Sequence, residues 1–174
     1  MMVSERLEGL IEFASSGGWH WRVPPGTVFA FMTGDPDDMC TFDDGVYVVR
    51  KHERGVVSKP LIRSARLEDI DKYLSFRYGN TVRRKSGLPE VWLPALLPAE
   101  VGTSRDGFSF SGTPADMIVS WTDSLGGHEV RLNYRSAAEW VQYSRFSAQE
   151  IRDSFLDPEG SPVFDSRVQH RSWS

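Results

Sequence analysis

The densest group of side chains able to do chemistry is acidic: Asp35, Asp37 and Asp38, followed by Asp43 and Asp44. Clustered carboxylates can hold calcium, but an EF-hand loop needs Gly at its sixth position and Glu at its twelfth, and this spacing supplies neither. The group reads as a solvated acidic loop, or as a patch that steers a basic partner. Positive charge is concentrated in Arg83, Arg84 and Lys85. This run is too short, and too poor in interleaved aromatics, for a nucleic-acid stripe. It reads as a solvated loop or as a charged plug for a partner's cleft, with Trp92 supporting the loop's base.

Other chemistry is hard to find. His20, His52, His128 and His170 stand alone, with no His-x-x-x-His or Cys-x-x-Cys spacing, so no metal site is expected. Cys40 lacks the local motif of a nucleophile and reads as a small buried hydrophobe. No serine sits in a Gly-x-Ser-x-Gly elbow, and the phosphate-binding glycine motifs are absent. The residues therefore predict neither a cofactor nor an enzyme.

Bulk properties narrow the partner. The net charge is −4 and the pI about 5.6. Nucleic acid and anionic membranes both reward a basic excess, so neither is expected as partner. The single cysteine fits a reducing compartment. The N-terminus has no signal-peptide pattern, and the greasiest run, VWLPALLPAEV from Val91, is too short to span a bilayer. These features predict a cytoplasmic protein of one domain, residues 1–174, with 167–174 a flexible tail. Of the six tryptophans, Trp92 and Trp173 lie outside strong elements and are the candidate interface anchors.

The elements that must position these residues can be read in order. Leu7, Leu10, Ile11 and Ala14 predict an amphipathic helix over 4–15, ended by Gly17-Gly18. Strands are expected at 19–23, 28–32, 40–42, 46–51 and 56–62, with 34–38 an acidic loop. Pro60 demotes the last of these to an edge or a strand end. Leu67, Ile70, Leu74 and Tyr78 predict a helix over 65–78, stopped by Gly79-Asn80. Residues 80–98 read as a long ordered connection. Three strands follow at 108–111, 117–122 and 129–135. Two helices end the pattern. Each begins with a serine followed three residues later by glutamate, Ser136 with Glu139 and Ser147 with Glu150, the pattern of a capping box. Asp157-Pro158 stops the second helix. Short turns between successive strands give an α+β class: a twisted, mostly antiparallel sheet of six or seven strands, with about four helices mainly on one face.

Two blocks carry a family resemblance. Residues 72–94, KYLSFRYGNTVRRKSGLPEVWLP, hold Tyr-Leu, a Gly, a basic residue, Gly-Leu-Pro and a further Pro. Residues 143–164, YSRFSAQEIRDSFLDPEGSPVF, hold Tyr-Ser, a capped short helix, Ser-Phe-Leu, Asp-Pro-x-Gly and x-Pro-x-Phe. Together they resemble the immunity protein 61 group of bacterial polymorphic toxin systems, more closely in the second half than in the first. The resemblance implies a cytoplasmic immunity protein that binds a cognate toxin domain as a heterodimer. The toxin would be an NAD-hydrolysing enzyme, and inhibition would mean blocking its cleft. No catalytic residue is carried over. Two readings stand beside this one: a small ligand-binding or catalytic α+β domain, and an adaptor or chaperone for secretion. Residue type alone leaves the contact surface open between Arg83, Arg84, Lys85 with Trp92 and the patch of Asp35, Asp37 and Asp38.

Overall fold

The computed structural model describes residues 2–93, 104–105, 107–165 and 167–168. The order of elements is α1 (Val3–Arg6), α2 (Glu8–Ser16), β1 (His20–Arg22), β2 (Phe29–Met32), β3 (Asp37–Asp43), β4 (Val46–Glu53), β5 (Val56–Ser64), α3 (Leu67–Lys85), β6 (Ser104–Arg105), β7 (Phe108–Thr113), β8 (Asp116–Asp123), β9 (Gly126–Leu132), α4 (Tyr134–Tyr143) and α5 (Ala148–Leu156). One antiparallel sheet has the order β1-β2-β3-β4-β5-β9-β8-β7-β6. The α+β class is as expected. The sheet is larger than the six or seven strands expected: the described residues form eight strands of three residues or more and the two-residue β6 at an edge.

Alternation along the strands separates the two faces. Phe108 and Phe110 on β7, Met117 and Val119 on β8, and Val130 and Leu132 on β9 are buried. Their neighbours Ser109, Ser111, Ile118, Ser120 and Arg131 are not. The buried set meets Ile70 and Leu74 of α3, Trp140 of α4, and Ile151 and Phe155 of α5 in one core. The helices thus cover one face and leave the other open.

The sheet has a narrow waist. β5 pairs with β9 only through Ile62–Leu132, Arg63–Arg131 and Ser64–Val130. Beyond Ser64 the chain leaves for α3, while β9 reaches back to Gly126. The two halves of the sheet therefore part on that side. Pro60 lies opposite Arg50 at a register irregularity, on the part of β5 without a β9 partner, so β5 is interior at one end and an edge at the other.

Four local expectations need correction. The first helix breaks at Leu7, whose backbone leaves helical geometry (φ −113°, ψ 14°), giving five helices among the described residues in place of about four. α3 runs through Gly79-Asn80 to Lys85, because Gly79 lets the Phe155 ring lie against the helix. Asp37 and Asp38 open strand β3 and are not loop residues. Asn133, not Ser136, caps α4, its side chain accepting from the Ser136 amide at 3.0 Å. The second capping box forms as read: Ser147 Oγ accepts from the Glu150 amide, and Glu150 accepts from the Ser147 amide.

The long connection shortens at its start, since residues 80–85 are helical. Residues 94–98 of that connection, with Leu96 and Leu97, and the anchor candidate Trp173 lie outside the described residues. Arg167 and Val168, expected in the tail, meet Val91 and Trp92: Val91 bridges Val168, and the Trp92 amide donates to the Arg167 carbonyl at 2.9 Å. Among the described residues no helix is long and apolar enough to cross a membrane.

Candidate functional site

The two charged patches must be placed first. Arg83 does not lie on an exposed loop. It faces inward from the last turn of α3, and its side chain is 0% exposed. Its guanidinium donates to the carbonyls of Pro89, Ser154, Phe155, Asp157 and Pro158. These include carbonyls at the end of α5, which a helix leaves without intrahelical donors. Arg83 is therefore a structural anchor and cannot face a partner. Arg84 and Lys85 are exposed beside it, and Arg84 lies 3.7 Å from Glu90. Trp92 is exposed, while its neighbour Val91 is buried.

The acidic patch divides in the same way. Asp38 is buried and accepts two hydrogen bonds from Arg77, at 2.8 and 3.0 Å, and one from the Tyr78 hydroxyl at 3.1 Å. Burial, reinforced by that carboxylate, pushes the Tyr78 phenol well above its ordinary range. Asp37 accepts from the amides of Thr33 and Gly34, closing the β2–β3 turn. Asp35 is exposed but accepts from the Arg54 amide at the tip of the β4–β5 hairpin. Asp38 is thus no docking residue, and Asp37 is occupied by its own turn. The structure does not bring the basic and acidic patches together into one site.

His128 and the cysteine also have local roles. His128 sits between Arg66 and Asp123, within hydrogen-bond distance of both. Its hydrogen bond, then the Leu125 amide, holds the Asp123 carboxyl below the usual range. Cys40 is fully buried, and burial pushes its thiol up to about 12, so it is no nucleophile at neutral pH. Among the described residues no three His, Cys, Asp or Glu side chains cluster to hold a metal ion.

Another feature lies where residue types gave little warning. The open face of the sheet carries a groove of about 1160 Å³, between the β3–β4 end and strands β7–β9. Its size has a local cause. Ala65, Ser109, Ser120, Thr122 and Gly127 line it, and small side chains leave the pleated surface hollow. Val46 and Val48 form an apolar side, while Asp43 and Glu129 stand among the lining residues.

Two arginines with carboxylate partners stand at its centre. Arg63 and Arg131 are direct cross-strand partners at the waist. Both are partly exposed, at 34% and 41% of the side chain. They share Asp116, whose Oδ2 lies 3.4 Å from Arg63 and 3.9 Å from Arg131. Glu129 lies 3.3 Å from Arg131. Like charges placed directly opposite in a sheet are destabilising, and Asp116 and Glu129 offset that repulsion here. The sequence held a faint signal: Ser109, Ser111, Ser120 and Thr122 alternate with large apolar residues, marking a face that no helix covers.

The model of the family described as Immunity protein 61 matches residues 13–163. The immunity factor for TNT of Mycobacterium tuberculosis (strain ATCC 25618 / H37Rv) is 30% identical over 125 residues, covering 69% of this chain and 67% of the relative. The same figures hold for the immunity factor for TNT homolog of Mycobacterium bovis (strain BCG / Pasteur 1173P2). A solved structure, Rv3902c from M. tuberculosis, superposes with a TM-score of 0.74 at 23% identity, covering 90% of this chain and 92% of that one. That likeness is one of fold.

Proposed function

This chain belongs to the immunity protein 61 family, and on that premise we propose that it binds and inhibits a cognate secreted toxin. The toxin is an NAD-hydrolysing enzyme, and the complex blocks its active-site cleft. The inhibitor acts in the cytoplasm of the producing cell as a one-to-one heterodimer and performs no catalysis of its own.

The observation that carries this reading is the family match over residues 13–163, with two relatives that are immunity factors for TNT. The geometry supports it. A stable inhibitor complex buries roughly 1,600 Å² in total, and a preformed surface avoids the entropy of ordering on binding. The uncovered sheet face offers such a surface on rigid strands. Arg84, Lys85 and Trp92, with Asp35, are the remaining exposed members of the patches singled out in the sequence and form the rival contact.

The test mixes the purified chain with a purified NAD-hydrolysing toxin domain of the TNT kind and follows NAD loss. At equimolar protein, hydrolysis should fall to background. Undiminished hydrolysis would sink the proposal. A stable complex that keeps its activity would identify a secretion adaptor instead.

A further inference from the structure

We infer that the tip of the β8–β9 hairpin, residues 122–127, is the part of this chain that enters the toxin's cleft, with Leu125 seated in an apolar depression there; this rests on the inhibitor reading above. Three observations lead there. First, the tip overhangs the sheet. β7 pairs with β8 only as far as Phe108–Trp121, and β5 pairs with β9 only as far as Ser64–Val130. Beyond Trp121, among the described residues, the two strands pair only with each other, through Thr122–Gly127 and Asp123–Gly126. Two hollows border this overhang. Trp121 and Thr122 line the open-face groove and also, with Asp123 and Leu125, a hollow of about 590 Å³ shared with Lys72 and Ser144 of the helical side. A convex ridge of this shape is buried by a concave partner and not by a flat one.

Second, the crest of the ridge is apolar. Leu125 is 79% exposed, more than any other large apolar side chain among the described residues. Single exposed leucines are ordinary on protein surfaces. This one occupies a turn, where Gly, Asn, Asp and Ser are favoured; the β3–β4 turn follows that preference with Asp44-Gly45. Third, the tip is braced before any partner arrives. Asp123 Oδ1 accepts from the Leu125 amide at 2.7 Å and lies 2.7 Å from Nε2 of His128. Arg66 Nη1 lies 2.8 Å from the other ring nitrogen, and Arg66 also donates to Glu68 in the first turn of α3. The His128 side chain is nearly buried. These polar contacts tie the tip to the start of α3, and such networks rigidify what they join. Leu125 itself belongs to no core cluster, so the rigidity serves an exposed tip. A plug already ordered avoids the entropy of ordering on binding.

The experiment uses the full chain and a purified NAD-hydrolysing toxin domain of the TNT kind. Affinity is measured by calorimetry, and inhibition by NAD loss, for the wild type, for Leu125→Asp, and for Val56→Asp as a control at an exposed valine beside the β4–β5 turn. Melting temperatures are recorded for all three, and hydrogen exchange of the wild type is compared free and bound. The expected result is a loss of affinity of about 30-fold or more for Leu125→Asp, a change within about threefold for Val56→Asp, and slower exchange at residues 122–127 in the complex. If the wild type inhibits, Leu125→Asp binds as tightly as it does, and exchange at 122–127 is unchanged, the hairpin is overturned and the inhibitor reading stands. Where affinity and exchange disagree, or Leu125→Asp melts lower than the wild type, exchange on the wild type decides: slowing at 122–127 supports the hairpin, and its absence overturns it. A wild type that does not inhibit overturns both.

Discussion

Arg83 Nη1 donates a 2.7 Å hydrogen bond to the carbonyl of Asp157, 74 residues further along the chain. The bond ties the end of α3 to the end of α5. It turns a residue that looks like surface charge into the anchor of the C-terminal helix.

Replacing Arg83 by methionine should therefore destabilise the fold by about 3 kcal/mol or more, since several carbonyls lose their donor at once. Arg83→Lys should recover little, because three donors on one ammonium cannot reproduce the fork that reaches five carbonyls. Urea denaturation measures both. A loss under about 1 kcal/mol for Arg83→Met, the ordinary size for a point change, would remove the anchor role.

Gly79 gives a prediction whose sign separates two causes. Helix propensity alone makes Gly79→Ala stabilising by about 1 kcal/mol. A Cβ there would lie 2.3 Å from three carbons of the Phe155 ring. Overpacking should win, with a net loss of about 1–3 kcal/mol and a lower melting temperature. A stabilised variant would show that the α3–α5 contact is looser than described.

The cap of α4 can be assigned by mutation. Asn133→Ala should cost about 1 kcal/mol. The Ser136 hydroxyl hydrogen-bonds the buried Tyr73 phenol instead of capping. A double-mutant cycle of Ser136→Ala with Tyr73→Phe should then show coupling of about 0.5–1.5 kcal/mol. The cycle with Glu139→Gln should show none. The opposite pattern would restore Ser136 as the cap.

Cys40 should resist thiol reagents. Its thiol is fully buried and pushed up to about 12. At pH 8 the native chain should react with an aromatic disulfide reagent at no more than about a hundredth of the rate in denaturant. Fast labelling without denaturant would mean that β3 opens readily.

Much of the strand layout was legible because its signals are local. Val46, Val48 and Val49 announce β4 by β-branching. Ser147 and Glu150 announce α5 by a box that needs only four neighbouring residues. The family, too, was legible from two blocks. The errors arose where a distant partner overrode a local signal. Gly79-Asn80 reads as a stop until Phe155 is seen against the helix. Ser136 is a different case: Asn133, three residues earlier, is a competing local cap that accepts from its amide.

The candidate surface was less legible for a related reason. A basic run such as Arg83-Arg84-Lys85 looks like one patch in a linear chain. On a helix its members point in different directions, and the carbonyls at the end of α5 took Arg83 inward. Arg63 and Arg131, isolated in the sequence, became neighbours only because β5 and β9 pair across 68 positions of chain.

The sequence by itself determined the class of fold, the family, and a chemistry poor in catalytic groups, because composition, periodicity and short motifs act within a few residues. Tertiary structure alone decided which charges are buried, which are shared, and where the sheet lies uncovered. Burial and charge pairing depend on partners distant in the chain, and no local pattern records them.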